Sequence, residues 1–439
     1  MPTPLHPAID PALTGDLSAA RDLLAFIQSA PTPRHAVAEV VRRLGEAGFG
    51  SFDEGDSWEL APGTRGYVRR GGSVAAFVVG AEAPPQAGFA LVGAHTDSPN
   101  LRVKPVSNGE SAGYATLAVE VYGGVLLSTW LDRDLSLGGY LVLGDGTEVL
   151  VRLDGPVCRV PNLAIHLNRD VNKEGLVLNS QNHLSPVIAL AGESVPSLLE
   201  RACSALTGSF AGVRPGDVSS FELSLFDSQP GVLGGADSEF VFSARLDNLA
   251  SCHAALSALL ASPRETAKTR AFVLYDHEEV GSQSATGARS DFLGTLLGRL
   301  CRGGGEDALP RALSRSLLVS ADMAHGVHPN YPDKHDKLHR PVLGRGPVLK
   351  VNANQSYATD AQGAAAFTRA CQAEQLSPQY FVSRNDMPCG STIGPISAAR
   401  LGVTTVDVGN PMLSMHSCRE MAGSADVLPM IRVLSRLFA

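Results

Sequence analysis

Charge is scarce in this chain. Only 18% of its 439 residues are Asp, Glu, Lys or Arg, and the formal balance of −8 leaves no basic face for nucleic acid. No apolar run reaches the length needed to cross a bilayer, which argues against a membrane partner. Internal repeats and low-complexity tracts are missing as well. Cysteine occurs seven times, at Cys158, Cys203, Cys252, Cys301, Cys371, Cys389 and Cys418, far apart and without a Cys-x-x-Cys. An odd, dispersed set speaks against disulfides or thiolate zinc and for reduced thiols in the core. Residues 1–20 carry Pro, Asp and His where a secretory signal needs a basic start and an apolar centre, so a cytoplasmic location is expected. What remains, 44% hydrophobic residues in a long chain, is the composition of a compact enzyme-like protein with two structural units.

Helical periodicity runs through residues 17–47, where Leu23, Leu24, Phe26, Ile27, Val37, Val40, Val41 and Leu44 recur around a Pro31/Pro33 break. Phe89–His95 is apolar until its last residue and is expected to be a buried strand. Between Val103 and Asp237 the pattern changes to short apolar runs split by glycine, at Tyr114–Tyr122, 139–143, 148–153 and 157–167, each expected to be a strand. That stretch reads as a mostly β insertion of about 130 residues, an ordinary domain size. After Phe240, apolar strands at 271–275, 316–320, 348–352, 380–383 and 404–408 are separated by helical stretches at 249–260, 362–375 and 426–437. Such alternation predicts an α/β fold, a mixed sheet flanked by helices. Residues 1–103 and 238–439 are expected to form it, with the β-rich insertion over 104–237.

Residues 274–281, Leu-Tyr-Asp-His-Glu-Glu-Val-Gly, set Glu278 beside Glu279 directly after an apolar run. Neighbours on an extended segment point to opposite sides. One carboxylate can therefore bind a metal while Glu278 faces the substrate as general base. His95 and Asp97 lie two apart at a strand end, which allows His95 to be a ligand and Asp97 to fix its ring and tautomer. Asp247 opens the helix expected from Leu249 and suits an N-cap as well as a carboxylate shared by two metals. Asp322 ends another apolar strand, where open α/β sheets hold their ligands. His416 follows the strand at 404–408. Singly, each has an ordinary structural explanation. Together, His95, Asp247, Glu279, Asp322 and His416 at the ends of successive strands, with Glu278 free, point to a two-metal hydrolytic centre. Three carboxylates and one bridging hydroxide neutralise a pair of divalent ions, each with one His, one terminal carboxylate and a share of Asp247.

Longer motifs are more specific. Val-Pro-Asn-Leu-Ala-Ile-His-Leu-Asn-Arg at 160–169 and Asp-Met-Pro-Cys-Gly-Ser-Thr-Ile-Gly-Pro at 386–395 are two of them. With the stretches 93–105, 159–183, 244–247, 275–287, 321–339, 346–360 and 384–420, the chain strongly resembles the aspartyl aminopeptidases of bacterial type, a family of co-catalytic zinc aminopeptidases. The resemblance implies metal ligation by His95, Asp247, Glu279, Asp322 and His416, a base at Glu278, and substrate contacts from His166, His325, Lys350 and Tyr357. Lys350 would neutralise an acidic side chain, and a His or Tyr donor would stabilise the tetrahedral oxyanion. Without the resemblance, His325, His328, His335 and His339 read as a solvated His-rich loop.

It further implies two zinc ions per subunit, with manganese or cobalt able to fill one position, and a cis peptide after Asp247. The insertion would mediate dimerisation and lend His166 to a neighbouring subunit, with dimers built into a dodecamer. Departures are small: Cys418 stands where an aliphatic residue is common, and 333–337 varies a polar loop. The expected activity is removal of an N-terminal Asp or Glu from peptides through a metal-bridging hydroxide with Glu278 as base. Two other readings stay open on the residues, a two-metal deacylase of N-acyl amino acids and a metal-binding assembly protein without turnover.

Overall fold

The computed structural model describes residues 16–192 and 196–439. Most of the 1–20 segment therefore lies outside the described residues. A nine-stranded sheet organises the chain, in the order Gly50–Ser51, Arg65–Arg70, Ser73–Val78, Thr269–Tyr275, Phe89–His95, Leu317–Ala321, Thr404–Gly409, Val348–Val351 and Gln379–Val382. Its four central strands, Thr269–Tyr275 to Thr404–Gly409, run parallel, with Tyr275 opposite His95 and Ala321 opposite Val408. Their carboxyl ends thus finish along one edge. Antiparallel pairs on both sides make the sheet mixed.

Both faces are buried. Alternation along each strand divides the sheet between two cores, because successive side chains point to opposite faces. Ala90, Val92, Phe272, Leu274 and Val319 pack with the helices Ser18–Ser29, Pro33–Glu46, Leu246–Ala261, Ala361–Ala373 and Val427–Phe438. Phe89, Leu91, Ala271, Val273 and Leu318 pack with Phe292–Leu300, Ala308–Leu313 and Ile393–Leu401 on the other side. Leu246–Ala261 is buried nearly all round, as a helix without a polar face must be. Local chemistry marks the helix ends. Pro33 occupies the first turn of its helix, the Asp360 carboxylate accepts the Gly363 amide at 2.7 Å, and Gly402 (φ +65°) closes Ile393–Leu401 in the left-handed conformation.

A second, six-stranded sheet is antiparallel throughout, ordered Glu148–Arg152, Leu135–Leu143, Val218–Asp227, Asn100–Ser111, Tyr114–Tyr122 and Val187–Leu190. It has a core of its own in which Leu101, Leu117, Leu137, Leu223 and Trp130 meet Leu198 and Ala202 of the short helix Leu198–Ser204. A five-stranded sheet of Val232–Gly234, Phe240–Ser243, Glu420–Gly423, Pro411–Leu413 and Ala324–His325 lies near the parallel-strand ends in sequence. The expected strand at 157–167 does not form. Only isolated bridges at Cys158, Arg159 and Val160 are made, after which Pro161 interrupts and the chain turns through the 3-10 helix Ile165–Leu167. Proline cannot donate to a ladder, and the apolar residues beyond it, Leu163, Ile165 and Leu167, face solvent instead of a core. Among the described residues no helix is long and apolar enough to cross a membrane.

Candidate metal centre

The carboxyl edge of the parallel strands gathers the residues singled out above. His95 is the last residue of Phe89–His95, and Asp322 follows Leu317–Ala321, its amide donating to Val408 O at 2.9 Å. The Glu278–Glu279 pair is not extended as the sequence suggests. His277 adopts a left-handed conformation (φ +63°), ends the strand direction after Tyr275, and throws both glutamates onto the 3-10 turn Glu278–Val280. Asp247 sits in the first turn of Leu246–Ala261, which starts earlier than expected, with non-helical backbone at Asp247 and Asn248 and a cis peptide between them. Its carboxylate caps nothing. Asp247 Oδ1 is buried and makes no hydrogen bond. His416 lies beyond Pro411–Leu413, where the Glu420 carboxylate holds its amide at 2.8 Å and the Asp247 amide at 3.1 Å.

These side chains converge. His95 Nε2 lies 3.5 Å from Asp247 Oδ1 and 3.4 Å from Asp322 Oδ1. His416 Nε2 lies 3.5 Å from Asp247 Oδ2 and 3.4 Å from Glu279 Oε2. His95–Asp247–Asp322 and Asp247–Glu279–His416 each offer ligand atoms within 4.8 Å of one another, and Asp247 belongs to both. A third such group joins His95 to Glu278 and Glu279.

The electrostatics of the cluster call for positive charge. Burial, with Asp247 and Glu278 adding repulsion, pushes Glu279 well above the usual carboxylate range. Burial and the Asp322, Asp97 and Asp247 carboxylates push Glu278 up to about 8 against the opposing pull of His95. Burial opposes a charged His95 ring, yet its contacts with Asp247, Asp322 and Asp97 raise it well above its ordinary value. Glu279 Oε1 and Asp247 Oδ1 are both buried without partners. Buried polar atoms are usually satisfied, so two orphaned oxygens on carboxylates that lie 3.5 Å from the His95 ring and 3.4 Å from the His416 ring fit a site for divalent cations.

Supporting contacts orient the set. His95 Nδ1 donates to the Asp97 carbonyl at 3.0 Å, leaving Nε2 to face the cluster. The Asp97 carboxylate does more than the sequence suggested. It accepts the Glu278 and Glu279 amides, each at 3.1 Å, and the Tyr122 hydroxyl at 2.7 Å. Sequence reasoning missed Tyr122, Gly124 and Glu420, because nothing local marks them. Their roles arise from contacts between sheets.

The remaining residues divide. Lys350 is 1% exposed and its ammonium donates to Asp322 Oδ2 at 3.0 Å and to Met323 O at 3.1 Å. Burial opposes the Asp322 charge, but Lys350 and His95 hold that carboxyl well below its usual range. The Tyr357 ring lies 5.0 Å from Lys350 Nζ. His325 and Tyr357 line a cavity of about 290 Å³ beside the cluster, together with His328, Lys334, His335, Phe381 and Arg384. No Asp or Glu lines it. His339 instead bonds Asp336 at 2.7 Å. His166 is not brought to the cluster; it stands on the exposed turn Ile165–Leu167 and does not line the cavity.

A helix-flanked mixed sheet whose parallel-strand ends carry a buried histidine–carboxylate cluster defines a metal-dependent α/β hydrolase. The chain belongs to the aminopeptidase I zinc metalloprotease (M18) family, which it matches over residues 26–438. It is 48% identical over 425 residues to a probable M18 family aminopeptidase 2 of Pseudomonas aeruginosa, covering 95% of this chain and 97% of that protein. Among solved structures, Ape4 in a cryo-EM complex with Nbr1 superimposes with a TM-score of 0.93 at 40% identity, covering 96% of this chain and 85% of that one. The mApe1 dodecamer of S. cerevisiae gives 0.83 at 29% identity, with 96% of each chain covered. Membership makes the chain a metallo-aminopeptidase of a zinc family.

Breaking a buried ion pair leaves an uncompensated charge. Lys350→Met is therefore expected to destabilise the metal-free protein by about 3–5 kcal/mol through the stranded Asp322. Thermal unfolding in chelator measures this, and an unchanged midpoint would contradict the pair.

Proposed function

We propose that the chain is a dizinc aminopeptidase that removes an acidic residue, Asp or Glu, from the N-terminus of peptides. His95 and Asp322 would hold one zinc, Glu279 and His416 the other, with Asp247 shared. Manganese or cobalt would serve at one position, since imidazole and carboxylate ligands suit those ions also. The observation that carries this reading is Asp247, whose two oxygens face different imidazoles at 3.5 Å each. When bound, the ions would polarise the scissile carbonyl and lower the pKa of the attacking water.

The protein's own groups supply the rest. Glu278 lies within the same group as His95 and Glu279, where a carboxylate could take a proton from the attacking water and return it to the leaving amine. Asp97 accepts the Glu278 amide and so fixes the backbone from which the carboxylate reaches the site. The substrate's α-amine would be held by carboxylates that include Glu278. His325 and Tyr357 can donate to the oxyanion. Lys350 has spent two of its three donors on Asp322 and Met323, which leaves one for a substrate. The acidic preference is supported by the cavity next to the cluster, which Lys334 and His328 line without an acidic side chain; Arg384 there is paired with Asp386, and burial favours the neutral forms of His325 and His335.

Assembly would follow that of the yeast relative, a dodecamer, and would here be built from dimers. In this reading residues 104–237 are the dimerisation insertion of a catalytic unit formed by 1–103 and 238–439, in the cytoplasm. Its six-stranded sheet has an independent core, and Leu163, Ile165 and Leu167 flank His166 with uncovered apolar surface of the kind that marks protein contacts. His166 would then act in a neighbouring subunit's site.

Peptides differing only in a first residue of Asp, Glu, Ala or Lys test the substrate class. Release of the acidic residues is expected to exceed that of Ala or Lys by at least about tenfold in kcat/KM, the effect of about 1.4 kcal/mol. Equal rates would remove the acidic preference, and rates unaffected by complete chelation would remove the metal mechanism. Glu278→Gln is expected to keep zinc bound while lowering kcat by about 10²–10⁴-fold. Full activity of that variant would assign the base elsewhere.

A further inference from the structure

The groups that face one another in the metal centre come from the nine-stranded sheet edge, the helix Leu246–Ala261 and the loop before Glu420–Gly423. One segment that touches them comes from the other sheet. Tyr122 ends the strand Tyr114–Tyr122 of the six-stranded sheet, and its hydroxyl donates to Asp97 Oδ2 at 2.7 Å. Gly123 follows in the left-handed region (φ +75°), where a Cβ would lie 3.1 Å from Glu279 Cβ. Gly124 comes next, its carbonyl accepting His416 Nδ1 at 2.9 Å, and a Cβ there would lie 3.1 Å from that ring nitrogen. Three consecutive residues thus reach Asp97, Glu279 and His416 by three separate routes.

We infer that Tyr122, Gly123 and Gly124 are positioning residues, by which the six-stranded sheet sets the geometry and cation affinity of the metal centre. Each route has a stated physical effect. The Gly124 carbonyl selects the His416 tautomer with hydrogen on Nδ1, so Nε2 presents its lone pair toward Asp247 and Glu279. The Tyr122 hydroxyl orients Asp97, whose two oxygens hold the amides of Glu278 and Glu279 and so fix the turn that carries both. The bare backbone at Gly123 leaves room for the Glu279 side chain, which a Cβ there would meet at 3.1 Å. A pure packing role for Tyr122 would need the ring alone, which lies beneath the Arg102 guanidinium at 4.5 Å. Removing only the hydroxyl separates the two roles.

The inference rests on the reading of Glu279 and His416 as zinc ligands. Its test is zinc retention by the full chain against increasing chelator, for the parent, Tyr122→Phe, Gly124→Ala, Tyr114→Phe and Glu279→Ala. Tyr122→Phe, which removes the hydroxyl behind Asp97, and Gly124→Ala, whose Cβ would press on His416 Nδ1 at 3.1 Å, are each expected to lose zinc at about 10–100-fold lower chelator, the size usual when the support behind a ligand is disturbed. Tyr114→Phe, exposed at the far end of the same strand, is expected to behave as the parent. Parent-like retention in either of the first two variants, or an equal loss in Tyr114→Phe, overturns the inference. Parent-like retention in Glu279→Ala overturns the ligand reading itself and the inference with it. Should Tyr122→Phe not fold, Gly124→Ala decides by the same criterion.

Discussion

Mutual repulsion among buried carboxylates is the constraint around which this protein is arranged. Asp97, Asp247, Glu278, Glu279 and Asp322 crowd the ends of parallel strands, where water is largely excluded and like charges cannot be screened. Such a group persists only where cations balance it. Lys350 provides one charge on the Asp322 side, and two imidazoles face the rest. The remaining demand, expressed in orphaned oxygens and strongly raised glutamates, is what divalent ions satisfy.

A rigid scaffold is what makes that concentration of charge tolerable. Parallel strands with Tyr275 level with His95 and Ala321 level with Val408 deliver polar residues to one line without bending the sheet. Both faces of the sheet are sealed by helices, so the polar groups have only the strand ends on which to emerge. The fine orientation is then left to hydrogen bonds from behind: the Asp97 carbonyl on His95, the Asp97 carboxylate on two amides, the Gly124 carbonyl on His416, and Glu420 on the amides of Asp247 and His416. Apart from the Asp97 carbonyl on His95, each of these partners acts on a residue distant in sequence or on backbone, which is why the centre depends on the whole fold.

Much of this was legible in the sequence, and the reason is local. His95 and Asp322 each follow a run of apolar residues that could only be a buried strand, so a polar residue at its end was conspicuous, and both strands form where the pattern put them. The flanking helices likewise announced themselves through spacing at Leu23, Phe26 and Ile27. The failures were non-local or conformational. The left-handed turn at His277, which places Glu278 and Glu279 on a 3-10 turn, has no signature in an apolar run followed by charges. Residues 157–167 alternate like a strand but make only isolated bridges at Cys158, Arg159 and Val160 before Pro161 interrupts. Tyr122, Gly124 and Glu420 looked ordinary because their importance lies in what another sheet brings against them. Lys350 was marked only by resemblance, and its ion pair with Asp322 follows from register between strands that no spacing reveals.

A charge convergence of this kind would hold a pair of cations around Asp247. Anomalous diffraction at the zinc edge from crystals of the protein tests it most directly. Two peaks are expected, one bounded by His95 and Asp322, the other by Glu279 and His416, with Asp247 reaching both. A single peak away from Asp247, or none within reach of these five side chains, would contradict it.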